Sequence, residues 1–358
     1  MTQVLDRDLA SIQEARALLR KAAAAARIWA GSTQEEVDRV CEAMALAGAR
    51  EAERLARLAR DETGMGRTED KILKNRFGSE DVWRAYKPLR TRDVLRIYPD
   101  ARVKELGVPM GVVAAITPST NPTSTALYKA IIAVKAGNAI VFAPHPRATQ
   151  CVVETVRVLL DAAERAGAPP DLMSSMSTVT LEGTNELMRN ELTDVILATG
   201  GSALVHAAYS AGKPAFGVGP GNVPAIIERT ADVDKAVADI VAGKAFDNGL
   251  LCSAENSIVC DAPVERQVLE LLPKYKAYLC NADEKRKLEQ TLAPRGRLNT
   301  ALAGQDAPLI AQRAGFSVAA DTRVLVVRLE KVGREEEPLS IEKLSPVLGL
   351  YVEDGWRA

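Results

Sequence analysis

Apolar residues recur at Leu9, Ile12, Ala15, Leu19 and Ala23, the three-to-four spacing that predicts a helix. A second helix is expected from Ser32-Thr33 to about residue 61. Ser32-Thr33-Gln34-Glu35-Glu36 has the form of a capping box at its start, and Gly64, after Glu62-Thr63, supplies its stop. Over 93–108 the spacing changes. Val94, Leu95 and Ile97, then Pro99-Asp100, then Val103, Leu106 and Val108 predict a hairpin whose edge is open to pairing with another subunit.

From Gly111 the rhythm is strand, turn, helix, repeated. The run 111–117 (Val112, Val113, Ala114, Ala115, Ile116) leads through a Pro/Ser/Thr turn into a helix carrying Leu127, Ile131, Ile132 and Val134. A strand at 138–144, a helix at 147–166, a strand at 173–177, a short helix at 185–189 and a strand at 194–198 follow. Thr199-Gly200-Gly201-Ser202 then turns into another helix. This alternation predicts an α/β fold of parallel βαβ units. After a strand at 224–227 and a helix at 232–246 come a loop at 248–252, a strand at 257–259 and a helix at 264–272. A domain boundary is expected near Asp247.

With 358 residues the chain can form two domains. Apolar residues make up 47% of it but aromatics only 4%, so Ala, Val and Leu fill the core, as suits helices on a parallel sheet. The 46 basic and 47 acidic residues nearly cancel and form no basic stripe, so no nucleic-acid partner is expected. Without an apolar run of 18 residues or a signal-peptide core, no membrane association is expected either. The five cysteines are scattered, with no CxxC. That fits free thiols in a reducing cytoplasm and no zinc site.

Cys252 follows the glycine-containing loop Asn248-Gly249-Leu250-Leu251 and precedes a strand. A loop exposes a thiol to ligand and aims backbone N–H groups at a developing oxyanion; the competing reading is a small buried core residue, as most free cysteines are. Cys41 and Cys151 fall in helices, Cys260 ends a strand and Cys280 lies near a strand or turn. Of the two histidines, His206 falls within a helix. His145, between Pro144 and Pro146 at a strand end, is better placed to meet a ligand. The pair is too far apart, and too short of carboxylates, for a metal site. Gly200-Gly201-Ser202 opens a helix after a strand, where N–H groups face an anion. Gly217-Val218-Gly219-Pro220-Gly221-Asn222 is a denser glycine turn but not a GxGxxG followed by a helix. Each turn alone reads more readily as an ordinary βα connection than as a phosphate site.

Taken in order, six segments resemble the coenzyme-A-acylating branch of the aldehyde dehydrogenase superfamily: 111–122 (GVVAAITPSTNP), 136–147 (AGNAIVFAPHPR), 196–202 (ILATGGS), 216–224 (FGVGPGNVP), 248–257 (NGLLCSAENS) and 342–348 (EKLSPVL). That branch includes acetaldehyde, propionaldehyde, succinate-semialdehyde and sulfoacetaldehyde dehydrogenases. The resemblance implies a Rossmann-like NAD(P)-binding domain over 1–246, with the hairpin near 93–108 as an oligomerisation arm. It implies a catalytic domain over 247–358, incomplete at its C-terminus. Cys252 matches the catalytic thiol and Asn121 the amide that helps hold the oxyanion. Thr117, Pro118 and Ser119 match the loop along the cofactor; Pro144 and His145 match the adenosine side. Gly201 and Ser202 match the pyrophosphate helix, Gly219 and Gly221 the loop beside the nicotinamide, and Glu342 the residue that grips its ribose. Leu344 and Ser345 stand where other branches have Phe and Gly.

Hydrolytic members carry a Glu-Leu-Gly-Gly segment whose Glu activates water. Here 217–221 holds no carboxylate, so a thioester would wait for a thiol, which implies coenzyme A as acceptor. The expected reaction is reversible oxidation of a small aldehyde to acyl-CoA with NAD or NADP, in a homodimer or homotetramer. Two rivals stand beside it: a hydrolytic dehydrogenase giving free acid, and an inactive nucleotide-binding or assembly subunit. A microcompartment lumen is a second possible location, though no targeting extension is apparent.

Overall fold

The computed structural model describes residues 6–355. The chain folds as two compact units. The first runs through Thr63, resumes at Lys71 and ends at Gly219; the second takes Gly64–Asp70 and the described chain from Pro220 onward.

In the first unit the helix Arg7–Trp29 starts at Asp6, whose carboxylate accepts from the Asp8 and Leu9 amides, and it buries Ala15, Leu19, Ala22 and Trp29. The expected capping box is formed: Thr33 accepts from Glu36 N, and Glu36 accepts from Thr33 N. The single helix expected as far as residue 61 is two helices, Gln34–Arg50 and Ala52–Thr63. The break falls at Glu51 (φ −89°, ψ 3°). There a buried Asn75 amide donates to Ala52 O at 3.0 Å, and a side chain inserted at a carbonyl bends a helix. Gly64 ends the second of them at φ +70°.

The hairpin forms as β1 (Asp93–Tyr98) and β2 (Val103–Gly107), antiparallel with Val94 opposite Leu106 and Tyr98 opposite Val103. Five parallel strands follow: β3 (Val112–Thr117), β4 (Ala139–Pro144), β5 (Met173–Ser175), β6 (Val195–Thr199) and β7 (Ala215–Val218). They lie in the order β5-β4-β3-β6-β7. Every residue of β3 and β4 is buried, as their unbroken apolar runs require. The chain steps outward from β3 through β4 to β5, then returns to the other side of β3 as β6. Gly217, expected in a turn, lies within β7, where a Cβ would press on Val205 and Tyr209; the turn proper begins after Val218.

The second unit is also a parallel sheet, of β8 (Val223–Ile227), β9 (Glu255–Asp261), β10 (Ala277–Leu279), β11 (Val324–Arg328) and β12 (Val347–Glu353), in the order β10-β11-β12-β9-β8. Alternate residues of β11 face two cores: Val324 and Val326 join one, Leu325 and Val327 the other. The division of the chain comes before the expected boundary near Asp247 because β8 pairs with β9, Ala225 opposite Ile258. The helix Val233–Ala245 buries Val237 and Val241 in the same core. Gly64–Asp70 joins this unit through backbone bonds: Gly66 N donates to Gly304 O at 2.9 Å, and Arg67 N to the Asp247 carboxylate at 2.7 Å. Among the described residues no helix is long and apolar enough to cross a membrane.

Candidate active site

The first unit brings its candidates to the carboxyl ends of its strands. Thr117 closes β3 opposite Pro144 at the end of β4, and His145 N donates to Thr117 O at 3.1 Å. Pro118 and Ser119 continue from β3. Thr199 closes β6, and Gly201 and Ser202 open the helix Ser202–Tyr209. These ends flank the point where strand order reverses, between β3 and β6, which is where open parallel sheets bind nucleotides. The hydroxyls of Thr117 and Thr199 are buried there with no hydrogen-bond partner among the described residues. Buried hydroxyls are costly to leave unpaired, so this edge fits a polar ligand.

Beneath it the buried Lys129 Nζ donates to Ile116 O and Leu197 O, each at 2.8 Å, tying the last turns of β3 and β6 together. Burial pushes Lys129 down to about 7. His145 is exposed, and its Nδ1 accepts from Arg147 N at 3.1 Å. Desolvation, then the nearby Arg147 charge, lowers its pKa. His206 lies on the exposed side of its helix.

Asn121 starts the helix Pro122–Lys135 without capping it through its side chain. Its Oδ1 accepts from Lys74 Nζ at 2.6 Å, and its Nδ2 donates to Thr120 Oγ1 at 3.0 Å. Lys71 Nζ donates to Thr120 O at 3.3 Å. Lys71 and Lys74 come from the helix Thr68–Arg76 and are buried, as is Asn75. Sequence reasoning passed over this helix because a short, charged segment reads as solvated surface. The i, i+3 spacing of two lysines beside an Asn was its one available signal.

In the second unit the candidates lie at the amino ends of strands. Asp247 (φ 46°), Asn248 (φ 55°) and Gly249 (φ 70°) are three left-handed residues in succession. Asn248 holds its conformation by donating to Gly304 O at 3.0 Å and the Asp306 carboxylate at 2.9 Å. At Gly249 a Cβ would come within 2.5 Å of Ser345 O. This strained run delivers Cys252 to a turn closed by Ala254 N donating to Leu251 O at 3.0 Å, just before β9. The Cys252 thiol is exposed; Cys41, Cys151, Cys260 and Cys280 are all buried. Burial pushes all four up, Cys260 to about 11 and Cys280 to about 12. A raised pKa and a closed environment make those thiols inert.

Gly221, before β8, lies so near this turn that a Cβ would overlap the Cys252 carbonyl. Its N–H donates to Glu342 Oε1 at 3.0 Å. Burial raises the Glu342 carboxyl, against the opposing effects of the Gly221 amide and the Lys244 charge. The backbone just before Glu342 is held by the fully buried Lys343, whose Nζ donates to Leu339 O at 2.7 Å and Ile341 O at 3.2 Å. Burial drives Lys343 well down. Lys244, likewise buried, reaches Asn256 Oδ1 at 3.4 Å and is pushed down by burial to about 8. Asn256 Nδ2 donates to Ile341 O at 2.7 Å. Gly219 has open space around it, with Val205 as its nearest neighbour. Sequence reasoning missed both buried lysines, since neither position carries a local mark of burial.

A family model described as the aldehyde dehydrogenase family matches residues 2–291. The bifunctional aldehyde-alcohol dehydrogenase AdhE of Escherichia coli (strain K12) is 42% identical over 341 residues, covering 95% of this chain. The chain spans 38% of the length of that relative. Among solved structures, an acetylating aldehyde dehydrogenase from Geobacillus thermoglucosidasius superposes with a TM-score of 0.96 at 48% identity, covering 98% of this chain and 78% of its own. A Rhodopseudomonas palustris propionaldehyde dehydrogenase, solved with bound CoA and an acylated cysteine, superposes with a TM-score of 0.82 at 30% identity, covering 95% and 77%.

Proposed function

The chain belongs to the aldehyde dehydrogenase family, and from that premise we propose that it carries the nucleotide-binding and thiol-bearing parts of a coenzyme-A-acylating aldehyde dehydrogenase. The observation that carries the reading is the exposed Cys252 thiol, presented on a strained turn while every other cysteine is buried. The first unit binds NAD or NADP through Thr117, Pro118, Ser119, Pro144, His145, Gly201 and Ser202. The first unit also contributes Gly219, its last residue, and the second contributes Gly221 and Glu342. The orphaned hydroxyls of Thr117 and Thr199 support a ligand at that edge.

Cys252 Sγ, as the thiolate, attacks the aldehyde carbonyl, a C–S bond forms, and the carbonyl electron pair moves to oxygen. The Asn121 amide and the Cys252 N–H hold that charge; removing one such donor costs roughly 10²–10³ in rate. A bound nicotinamide supplies the hydride acceptor. Cys252 is left as a thioester; the Rhodopseudomonas palustris relative was solved with an acylated cysteine. No carboxylate in 217–221 activates water, so the thioester persists until the coenzyme A thiol, giving up its proton to solvent, attacks its carbonyl and Cys252 leaves as thiolate. The substrate is a small aldehyde, and the sequence of steps runs equally in reverse. The enzyme works in the cytoplasm, and copies associate through the exposed hairpin β1–β2 as a dimer or tetramer.

The test is NADH formation from acetaldehyde, propionaldehyde, succinate semialdehyde and sulfoacetaldehyde, with and without coenzyme A, on the chain and on Cys252→Ala. Multiple turnovers that require both coenzyme A and Cys252 are expected. Equal turnover without coenzyme A would replace this reading with a hydrolytic one.

A further inference from the structure

The Asn121 side chain has two ends of opposite polarity, and only one of them can stabilise an oxyanion. An amide Oδ1 repels such a charge; an Nδ2 edge donates to it. An asparagine amide flips readily unless a neighbour accepts one orientation and rejects the other. A lysine ammonium is such a neighbour, since it has three donors and no acceptor. Lys74 Nζ lies 2.6 Å from Asn121 Oδ1, on a side chain that is 7% exposed. Flipping the amide would set its N–H groups against the ammonium.

From this arrangement we infer that Lys74 is a positioning residue that fixes the Asn121 amide with its Nδ2 edge turned toward the reacting carbonyl oxygen and, through its charge, strengthens that edge as a donor. The inference rests on the reading of Asn121 as an oxyanion donor. Two further observations support it. A hydrogen bond to a charged donor polarises the amide and makes its N–H a better donor. Thr120, the acceptor for one Nδ2 proton, is itself tied by Lys71 Nζ at 3.3 Å from its carbonyl, so both ends of the amide are set by lysines of one helix. Lys74 touches neither aldehyde nor thiol in this scheme and acts through Asn121.

The experiment is a thermodynamic cycle read by the single-turnover burst of NADH without coenzyme A, which reports the steps before acyl transfer. Lys74→Met should slow the burst about tenfold, and Asn121→Ala roughly 10²–10³-fold, as for a lost oxyanion donor. The double variant should be no slower than Asn121→Ala, within about twofold, because the lysine has nothing left to orient. Lys74→Arg, which keeps the donor and the charge, should recover most of the rate. Additive losses in the double variant would overturn the inference, as would an undiminished burst in Lys74→Met or in Asn121→Ala. If Lys74→Met does not fold, Lys74→Gln takes its place, since glutamine can face Asn121 with either a donor or an acceptor. A second readout needs no turnover. In protein labelled with ¹⁵N at asparagine, the Asn121 side-chain pair, assigned by its loss in Asn121→Ala, should move and broaden in Lys74→Met; an unmoved pair overturns the inference. A chain that makes no NADH from any aldehyde defeats the proposed function, while the amide spectrum still decides the orientation.

Discussion

The two sheets present their chemistry at opposite ends. In the first unit the candidate residues follow β3, β4 and β6, at the carboxyl ends of the strands. In the second, Gly221, Cys252 and Glu342 precede β8, β9 and β12, at the amino ends. A carboxyl end runs into a helix, whose first N–H groups are free for an anion without special backbone geometry. Gly201, with no atom near where its Cβ would stand, shows how little that arrangement demands. An amino end has no such helix. The chain must approach through loops, and here it does so with three left-handed residues, a glycine so close to a carbonyl that no Cβ would fit, and the buried Lys343 holding the carbonyls before Glu342. The first arrangement asks little of its backbone, whereas the second depends on left-handed residues and a close approach at Gly221.

Four measurements sharpen or break this contrast. Cys252→Ala should lower aldehyde-dependent NADH formation by about 10⁴-fold or more. Because the thiol is exposed, it should leave the free energy of unfolding in urea within about 0.5 kcal/mol of the parent. A comparable loss from replacing any buried cysteine, without unfolding, would remove the thiol from the second site.

Next in size, Gly221→Ala forces the 219–222 loop away from Cys252 and should cost about 10² in rate, the effect of a misplacement near 1 Å. Its counterpart Gly201→Ala should fold as the parent does and weaken cofactor binding by about tenfold at most, measured by fluorescence titration with NADH. Equal sensitivity at the two glycines would erase the difference between the sites.

Lys129 tests the first site through pH. In the folded chain it releases its proton near 7, against an ordinary value of 10.5. Between those values the unfolded chain binds more proton, so this group makes stability rise with pH, by at most about 1.4 kcal/mol per unit. Below about pH 7 it is protonated in both states and the burial penalty is complete. Urea unfolding of the parent and of Lys129→Met from pH 6.5 to 9 should show the parent gaining on the variant as pH rises; parallel curves would contradict a depressed Lys129.

The smallest effect on stability belongs to the hairpin, which takes part in neither site. Ile97→Lys and Leu106→Lys replace side chains that are 56% and 57% exposed and should change unfolding by less than about 0.5 kcal/mol. If copies pair through β1 and β2, sedimentation should show a shift toward the monomer.

Much of this was legible in residue order. The unbroken apolar runs of β3 and β4, the capping box at Thr33, the hairpin and the stop at Gly64 are local signals, set by spacing, backbone preference and side-chain chemistry within a few residues. Cys252 stood out on a loop before a strand, although the sequence could not say which of the five thiols is exposed. Other features had no such signal. One segment, Gly64–Asp70, leaves the first unit to bond with Gly304 and Asp247, and Lys74 meets an amide far along the chain. Lys129 is buried because β3 and β6, which the sequence separates, both offer it carbonyls. By itself the sequence determined the alternation of strands and helices, because that pattern is read one turn or one pleat at a time. Only the tertiary structure decided which charged side chains leave water, because a buried ammonium needs partners that distant segments supply.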